Sequence, residues 1–176
     1  MTKDKRIRDT IITGRLKLEI LNLDDYDFLI SLVNSKGWLE NIGDRNIHSK
    51  EDAVEYINKI LTTGNFIYWV VKIKDVNTPI GIISFLKRSY LENFDIGFAF
   101  LPNFSSKGYA FEAANEVLKM LSGLREFNVV LATTLFSNKK SIKLLSRLGF
   151  TFEKGIEIEN EKLHIYRSAR MPDKNP

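Results

Sequence analysis

The 176-residue chain contains no cysteine. That absence excludes disulfides, thiolate metal sites and a cysteine nucleophile. Histidine is almost as scarce. Only His48 and His164 occur, far apart and without a suggestive neighbour. A histidine-rich metal site lacks ligands, so no metal is expected, and a Ser-His-Asp triad would have to draw on one of these two residues. No apolar run approaches the roughly 20 residues that span a bilayer. The opening segment, Met1 to Asp9, is basic but has no apolar stretch behind it. It does not read as a secretory signal, and a cytoplasmic protein without a membrane partner is expected. The chemistry left to such a chain rests on carboxylates, hydroxyls, backbone donors or a bound cofactor.

What is present fits one ordinary globular domain. Hydrophobic residues make up 44% and charged residues 27%, enough for a sizeable core and a well-solvated surface. The net charge of +4 is scattered, as in Lys87-Arg88 and Lys139-Lys140, and forms no basic stripe. No nucleic-acid partner is therefore expected. Residues 1–12 read as a flexible arm, 13–170 as the domain and 171–176 as a loose tail.

The hydrophobic pattern alternates between the two periods. Arg15 to Ile20 alternates as a strand, and Leu23 to Val33 has helical spacing behind Asp24 and Asp25. A loop with Gly37, Trp38 and Gly43 follows. Ser49 to Asp52 then forms a capping-box pattern ahead of a helix that ends at Gly64. Phe66–Ile73, Ile80–Leu86 and Phe94–Phe100 read as strands, the first two joined by a turn at Asp75–Pro79. A helix from about Gly108 carries Ala110, Ala113, Ala114, Val117, Leu118 and Leu121 on one face. A strand at Val129–Thr134, a helix at Asn138–Leu148 and strands at Phe150–Phe152 and Leu163–Arg167 complete the pattern. Hairpins mixed with one strand–helix–strand crossover give an α/β fold with a mixed, mostly antiparallel sheet.

The richest segment runs from Phe94 through Pro102 and Ser105-Ser-Lys-Gly-Tyr-Ala110 to Glu112. A strand, a loop of small residues and a long helix follow one another there. Such a loop gathers free N–H groups at the positive end of a helix dipole, which suits an anion such as phosphate. It is neither a Walker A loop nor a dinucleotide fingerprint, because the required Gly-Lys-Ser/Thr ending and the three spaced glycines are missing. Gly97, inside the preceding strand, suggests either a bulge or a close backbone approach.

Four pieces in order resemble the GNAT superfamily of acetyl-CoA-dependent N-acetyltransferases, in the branch of the ribosomal-protein N-terminal acetyltransferases. They are Arg15-Leu-Lys-Leu18, Ile42-Gly-Asp-Arg45, the segment Pro102–Ala113, and Asn138-Lys-Lys-Ser141 followed by Leu148-Gly-Phe150. The resemblance runs from about residue 13 to 168. It implies a single-domain fold whose central strand pair is splayed and flanked by helices, with acetyl-CoA (coenzyme A) as cofactor and an amine as acceptor, in a monomer or homodimer. It places the cofactor pyrophosphate on Ser105, Ser106, Lys107, Gly108, Tyr109 and Ala110. It places the pantetheine beside Phe98, Ala99 and Phe100, with a bulged N–H polarising the thioester carbonyl. Asn138 and Ser141 would complete the cofactor side.

Ser141 would protonate the leaving thiolate, and Asp95 would receive the amine proton. Trp38, Asp44 and Arg45 fall in the loop expected to cover the acceptor. The chain departs from the family in Ser105 and Ser106, and in Leu145, where many relatives carry a tyrosine acid. Those departures leave open a non-catalytic acyl-CoA-binding or sensory module on the same fold.

Overall fold

The structure, a computed structural model, describes Ile7 and residues 9–169. Its frame is one eight-stranded sheet in the order β1-β2-β3-β4-β5-β6-β8-β7. The strands are β1 (Thr10–Ile12), β2 (Leu16–Ile20), β3 (Phe66–Ile73), β4 (Thr78–Leu86), β5 (Asp95–Phe100), β6 (Leu131–Leu135), β7 (Phe150–Ile158) and β8 (Glu161–Ser168). Every neighbouring pair is antiparallel except β5 and β6. The helices are α1 (Tyr26–Val33), α2 (Lys36–Asn41), α3 (Lys50–Thr62), α4 (Tyr109–Leu121) and α5 (Lys139–Arg147). The architecture is the expected α/β domain with a mostly antiparallel sheet.

Each face of the sheet buries its own core, because both faces alternate apolar residues with period two. On one face α4 presses Ala113, Ala114, Val117 and Leu121 onto Leu16, Trp69, Ile83, Phe85 and Ile96. The two alanines let the helix backbone come close to the strands. On the other face Phe28, Leu29 and Leu32 of α1 and Ile57 and Ile60 of α3 pack with Val70 and Ile82. The capping box forms as read from the sequence. Asp52 N–H donates to Ser49 Oγ at 3.1 Å, and Ser49 N–H donates to Asp52 Oδ2 at 2.9 Å.

Three elements differ from the sequence reading. The arm expected to be loose through residue 12 supplies β1 at the sheet edge, and Ile7 and Ile11 are buried in the α4-side core. A strand of three residues is too short to show a period. Residues 1–6 and 8 of that arm, and the tail from 171, lie outside the described residues. The loop around Trp38 contains α2, a six-residue helix with no side-chain cap and a glycine in its first turn. Lacking start and stop signals, it is held by the burial of Trp38. Finally, β7 runs on to Ile158 although Thr151–Gly155 is exposed. Exposure of both faces over that stretch removes the alternation that would have marked it. Its turn at Glu159 and Asn160 places both residues at positive φ, 51° and 68°, as a two-residue hairpin of type I′ requires.

Pro79 is accommodated beside a bulge, since Val71 faces Gly81 and Lys72 faces Pro79, leaving Ile80 as the extra residue. Gly81 has a sharper reason to be glycine. A Cβ there would lie 2.4 Å from the Phe100 ring and 2.7 Å from the Ala99 carbonyl oxygen. Gly81→Ala is expected to destabilise the fold by about 1–3 kcal/mol through overpacking, read as a lowered midpoint in urea titration with an unchanged slope.

Candidate active site

Strands β5 and β6 run parallel but pair at one position only, Asp95 with Leu131. Leu131 N–H donates to Phe94 O at 2.9 Å, and beyond this contact the strands diverge. The ladder alternation fixes which groups face the gap. Leu101 N–H bonds Ile80 O at 2.9 Å, so the odd residues of β5 turn their backbone groups toward β4. Ile96, Phe98 and Phe100 therefore turn theirs toward β6. Ser168 N–H bonds Val130 O at 2.9 Å, so by the same logic Thr133 and Leu135 present theirs toward β5. The result is a V-shaped opening edged by the peptide groups of Phe98, Phe100 and Thr133, with Leu135 O already taken by Asn138 N–H at 3.0 Å.

The register of β5 against β4 is unbroken from Phe100–Gly81 to Asp95–Leu86. The bulge considered for Gly97, and with it a bulged N–H, is not formed. The alternative, a close approach, is what the strand shows: a Cβ on Gly97 would lie 2.6 Å from Ser84 Oγ. Ala99 is also set apart from the expected cofactor residues. Its backbone pairs with Ile82, and its methyl packs in the α1–α3 core.

Because β5 and β6 point the same way, the helices that follow them both start at the open end of the V. The chain leaves β5 through a 3-10 turn at Pro102–Phe104 and enters α4 with Gly108 as N-cap. Ser106 and Gly108 have φ of 62° and 82°. No side chain caps α4. The N–H groups from Ser106 to Ala110 donate to nothing among the described residues, which gives the expected anion cradle. Ser105 differs, because its N–H is already bonded to Pro102 O at 3.1 Å. The cradle thus begins one residue later than read. The Lys107 ammonium lies 5.6 Å from the centroid of the Phe104 ring.

This loop is held from behind. Arg15 donates from Nη1 to Lys107 O at 3.1 Å and pairs with Glu112 through Nε and Nη2, both at 2.7 Å. Its guanidinium stacks 4.5 Å from the Tyr109 ring centroid. Glu112 also accepts from Thr13 Oγ1 at 2.6 Å and from Arg15 N–H at 2.9 Å. On the partner helix, Asn138 Oδ1 caps α5 by accepting from Ser141 N–H at 3.1 Å. Its side-chain amide and the half-buried Ser141 hydroxyl stay unengaged among the described residues. Leu145 is buried in the α4-side core, as a leucine there would be.

The apex of the V is polar. Asp95, 1% exposed, accepts at Oδ2 from Arg88 Nε at 2.9 Å and from Thr133 Oγ1 at 3.4 Å. Its Oδ1 is buried with no partner. Burial pushes this carboxyl up, against the pull of Arg88. Burial likewise raises the Tyr68 phenol well above its usual value. Tyr56 and Asp95 add to that rise, while Arg88 and Arg45 oppose it. Tyr68, Ser84 and Gly97 lie in one cross-strand row on the α1–α3 face. Sequence reading did not find Tyr68, Ser84 or Arg88. Only the position of Ser84 opposite Gly97 could have pointed to one of them.

The acceptor-side candidates separate. Trp38 is a wall residue, 6% exposed, whose indole N–H holds the loop at Gly43 O, 3.1 Å away. Asp44 closes a local turn by accepting from Asn46 N–H at 2.7 Å. Arg45 is exposed and makes no ion pair or hydrogen bond among the described residues, yet its charge reaches Tyr68. The described residues contain no group of metal-ligating side chains and no helix long and apolar enough to cross a membrane.

The site is thus a splayed parallel strand pair with an uncapped helix N-terminus at its mouth. The chain belongs to the acetyltransferase (GNAT) domain family, which matches residues 15–151, and it is an acyltransferase. It is 29% identical over 169 residues to the uncharacterized N-acetyltransferase YnaD of Bacillus subtilis (strain 168), covering 93% of this chain and 97% of that one. Among solved structures it is similar to a GNAT-family acetyltransferase from Bacillus anthracis, with a TM-score of 0.78 at 22% identity over 93% and 99% of the two chains. It is also similar to RimL, the ribosomal L7/L12 alpha-N-protein acetyltransferase in complex with coenzyme A, with a TM-score of 0.80 at 15% identity over 93% and 98%. A third is the microcin C7 self-immunity acetyltransferase MccE in complex with acetyl-CoA and AMP, with a TM-score of 0.79 at 20% identity over 94% and 99%.

The Arg15–Glu112 brace yields a stability test. Burial raises the Glu112 carboxyl, but its bonds to Thr13 and Arg15 lower it by more, so its folded-state value is depressed. The brace therefore contributes fully above the ordinary carboxylate range and is lost as pH falls through the depressed value. Glu112→Gln is expected to cost about 1 kcal/mol near neutral pH, given the half-exposed arginine. In denaturant titrations the gap between variant and wild type should close on acidification.

Proposed function

We propose that the protein is an acetyl-CoA-dependent N-acetyltransferase that moves the acetyl group directly to a primary amine within a ternary complex. The observation that carries this reading is the V between β5 and β6, whose facing peptide edges lead to the free N–H groups of Ser106–Ala110. A chain of amides ending in a pyrophosphate fits such a path, with strand-like pairing along the arm and anion binding at the end. The coenzyme-A complexes among the structural neighbours support the same choice of cofactor.

In this reading, acetyl-CoA supplies an activated acetyl group. The residues of the chain do the rest. Ser106, Lys107, Gly108, Tyr109 and Ala110 hold the pyrophosphate by backbone donation, which is indifferent to the serine substitutions. Phe98 and Phe100 pair with the pantetheine, and N–H groups on the open edge of β5 stabilise the oxyanion. Asp95 Oδ1, buried and unpartnered, receives the amine proton through water. Asn138 orients the thioester end from α5, and Ser141 gives a proton to the departing sulfur. One C–N bond forms and one C–S bond breaks; the proton lost by nitrogen goes to Asp95 and on to solvent, the sulfur leaves as a thiol with the Ser141 proton, and Ser141 regains a proton from solvent. A cytoplasmic location accords with this use of acetyl-CoA.

Acetyl-CoA at millimolar concentration is expected to raise the melting temperature, and no shift would overturn the reading. Gly108→Glu should abolish that shift, because its carboxylate enters the anion cradle. Ser141→Ala should lower kcat about 10–100-fold with the acetyl-CoA KM unchanged, measured as thiol release. Because the chain has no thiol of its own, a thiol reagent reports coenzyme A alone. Cofactor binding without thiol release for any amine would instead favour the non-catalytic module that Leu145 leaves open.

A further inference from the structure

The loop between β5 and α4 has two ways to present itself, and its backbone alone does not choose between them. The peptide unit joining Lys107 to Gly108 is planar and trans, so its C=O and N–H point to opposite sides. Turning that unit over exchanges the two groups and takes the φ of Gly108 from positive to negative. Glycine adopts both signs about equally, so the φ of 82° at Gly108 is no barrier to the exchange. In one orientation the mouth of the V meets the Gly108 N–H. In the other it meets the Lys107 carbonyl oxygen, which repels an anion.

A side chain from another part of the sheet makes the choice. Arg15 immediately precedes β2, and its Nη1 donates to Lys107 O at 3.1 Å. Its Nη2 lies so close to the turn that a Cβ on Gly108 would sit 3.4 Å from it. With the carbonyl held on that side, the Gly108 N–H points away from Arg15, where no described residue accepts it. The next carbonyl, Gly108 O, is drawn into α4 by Glu112 N–H at 3.0 Å. Both carbonyls at the helix entry are thus engaged away from the mouth.

The guanidinium is itself fixed. Nε and Nη2 each lie 2.7 Å from Glu112 Oε2, and the group stacks 4.5 Å from the Tyr109 ring centroid. Glu112 is anchored in turn by Thr13 Oγ1 at 2.6 Å and by Arg15 N–H at 2.9 Å. A planar fork with several donors makes these contacts at once, whereas a lysine ammonium has the charge without the fork. Because Glu112 balances the charge of Arg15, the pair adds little net field at the mouth. What Arg15 contributes is direction.

We propose that Arg15 is a positioning residue for the cofactor: its bond to the Lys107 carbonyl keeps the Gly108 N–H aimed at the pyrophosphate and so sets the affinity for acetyl-CoA. This rests on the acetyltransferase reading above and adds to it a residue outside the cradle that acts through the backbone.

The test is calorimetry of acetyl-CoA binding, with amide-resolved NMR, on wild type, Arg15→Lys and Arg15→Ala below the melting temperature of each. Both variants should weaken acetyl-CoA by about tenfold or more, as the loss of one charge-assisted hydrogen bond would. In the wild type the Gly108 amide proton should move downfield when acetyl-CoA is added. At saturating acetyl-CoA in either variant that shift should be lost, while the shifts of the Phe98 and Phe100 amides along the pantetheine persist. An Arg15→Lys variant that binds as tightly as wild type would mean that charge suffices, and would overturn the proposal. So would a Gly108 shift that survives in the variants, or loss of the Phe98 and Phe100 shifts alongside it, which marks general damage to the site. Failure of the wild type to bind acetyl-CoA would instead remove the reading on which the proposal rests.

Discussion

One hydrogen bond decides the shape of this protein's site. Leu131 N–H to Phe94 O ties two parallel strands at a single point, and everything beyond that point is open. Had the ladder continued, Ile96, Phe98 and Phe100 would be satisfied by Thr133 and Leu135, and the sheet would be closed. Unpaired backbone groups in a sheet interior are costly unless something pairs with them. The divergence of β5 and β6 suits the amide-bearing arm of the proposed cofactor, and the direction of both strands would place the far end of that arm at the mouth. The two helix N-termini sit at the mouth because parallel strands deliver their following segments to the same end.

The two faces of the sheet divide the work. On the α4 side the emphasis is on rigidity. Arg15 and Glu112 join the start of β2 to the first turn of α4, and Arg15 also bonds the carbonyl of Lys107 within the cradle loop. A loop with residues at positive φ is thereby fixed by a side chain nearly a hundred positions away. On the α1–α3 side the emphasis is on close approach. Gly97 withholds a side chain, Ser84 approaches it, and Asp95 keeps one oxygen free. The same strand, β5, serves both faces through its alternation.

Much of this was legible in the sequence where the signal was local and periodic. The helix around Ala113 and Val117, the capping box at Ser49 and the glycine start of α4 each rest on residues within a turn of one another. The cradle was legible for the same reason, although the bonding of Ser105 N–H to Pro102 O moved its edge. What escaped was settled by partners far away in the chain. β1 is a strand because β2 lies beside it and Ile7 and Ile11 find a core. Trp38, which sequence reading placed near the acceptor, is a buried wall because α2 folds over the second core. Arg88, Ser84 and Tyr68 carry no motif at all; they matter through the register of three strands. Asp95 was singled out from the sequence, but its burial follows from Arg88, and no spacing rule announces an arginine seven residues earlier as its partner.

The strand order carries a consequence for how the molecule is made. From β1 to β6 each strand adds beside its predecessor, so the growing chain can extend the sheet as it emerges from the ribosome. The last step breaks that rule, since β8, the final strand, lies between β6 and β7. Until β8 arrives, β6 has only its single contact to β5 and no neighbour on its other side. One wall of the cleft is therefore unsupported until β8 has been made. A chain stopped before Glu161 would retain the cradle loop and α4 in sequence but lack the strand that flanks β6. Pairing of β8 with β6 is thus the step that completes the wall of the cleft facing β5.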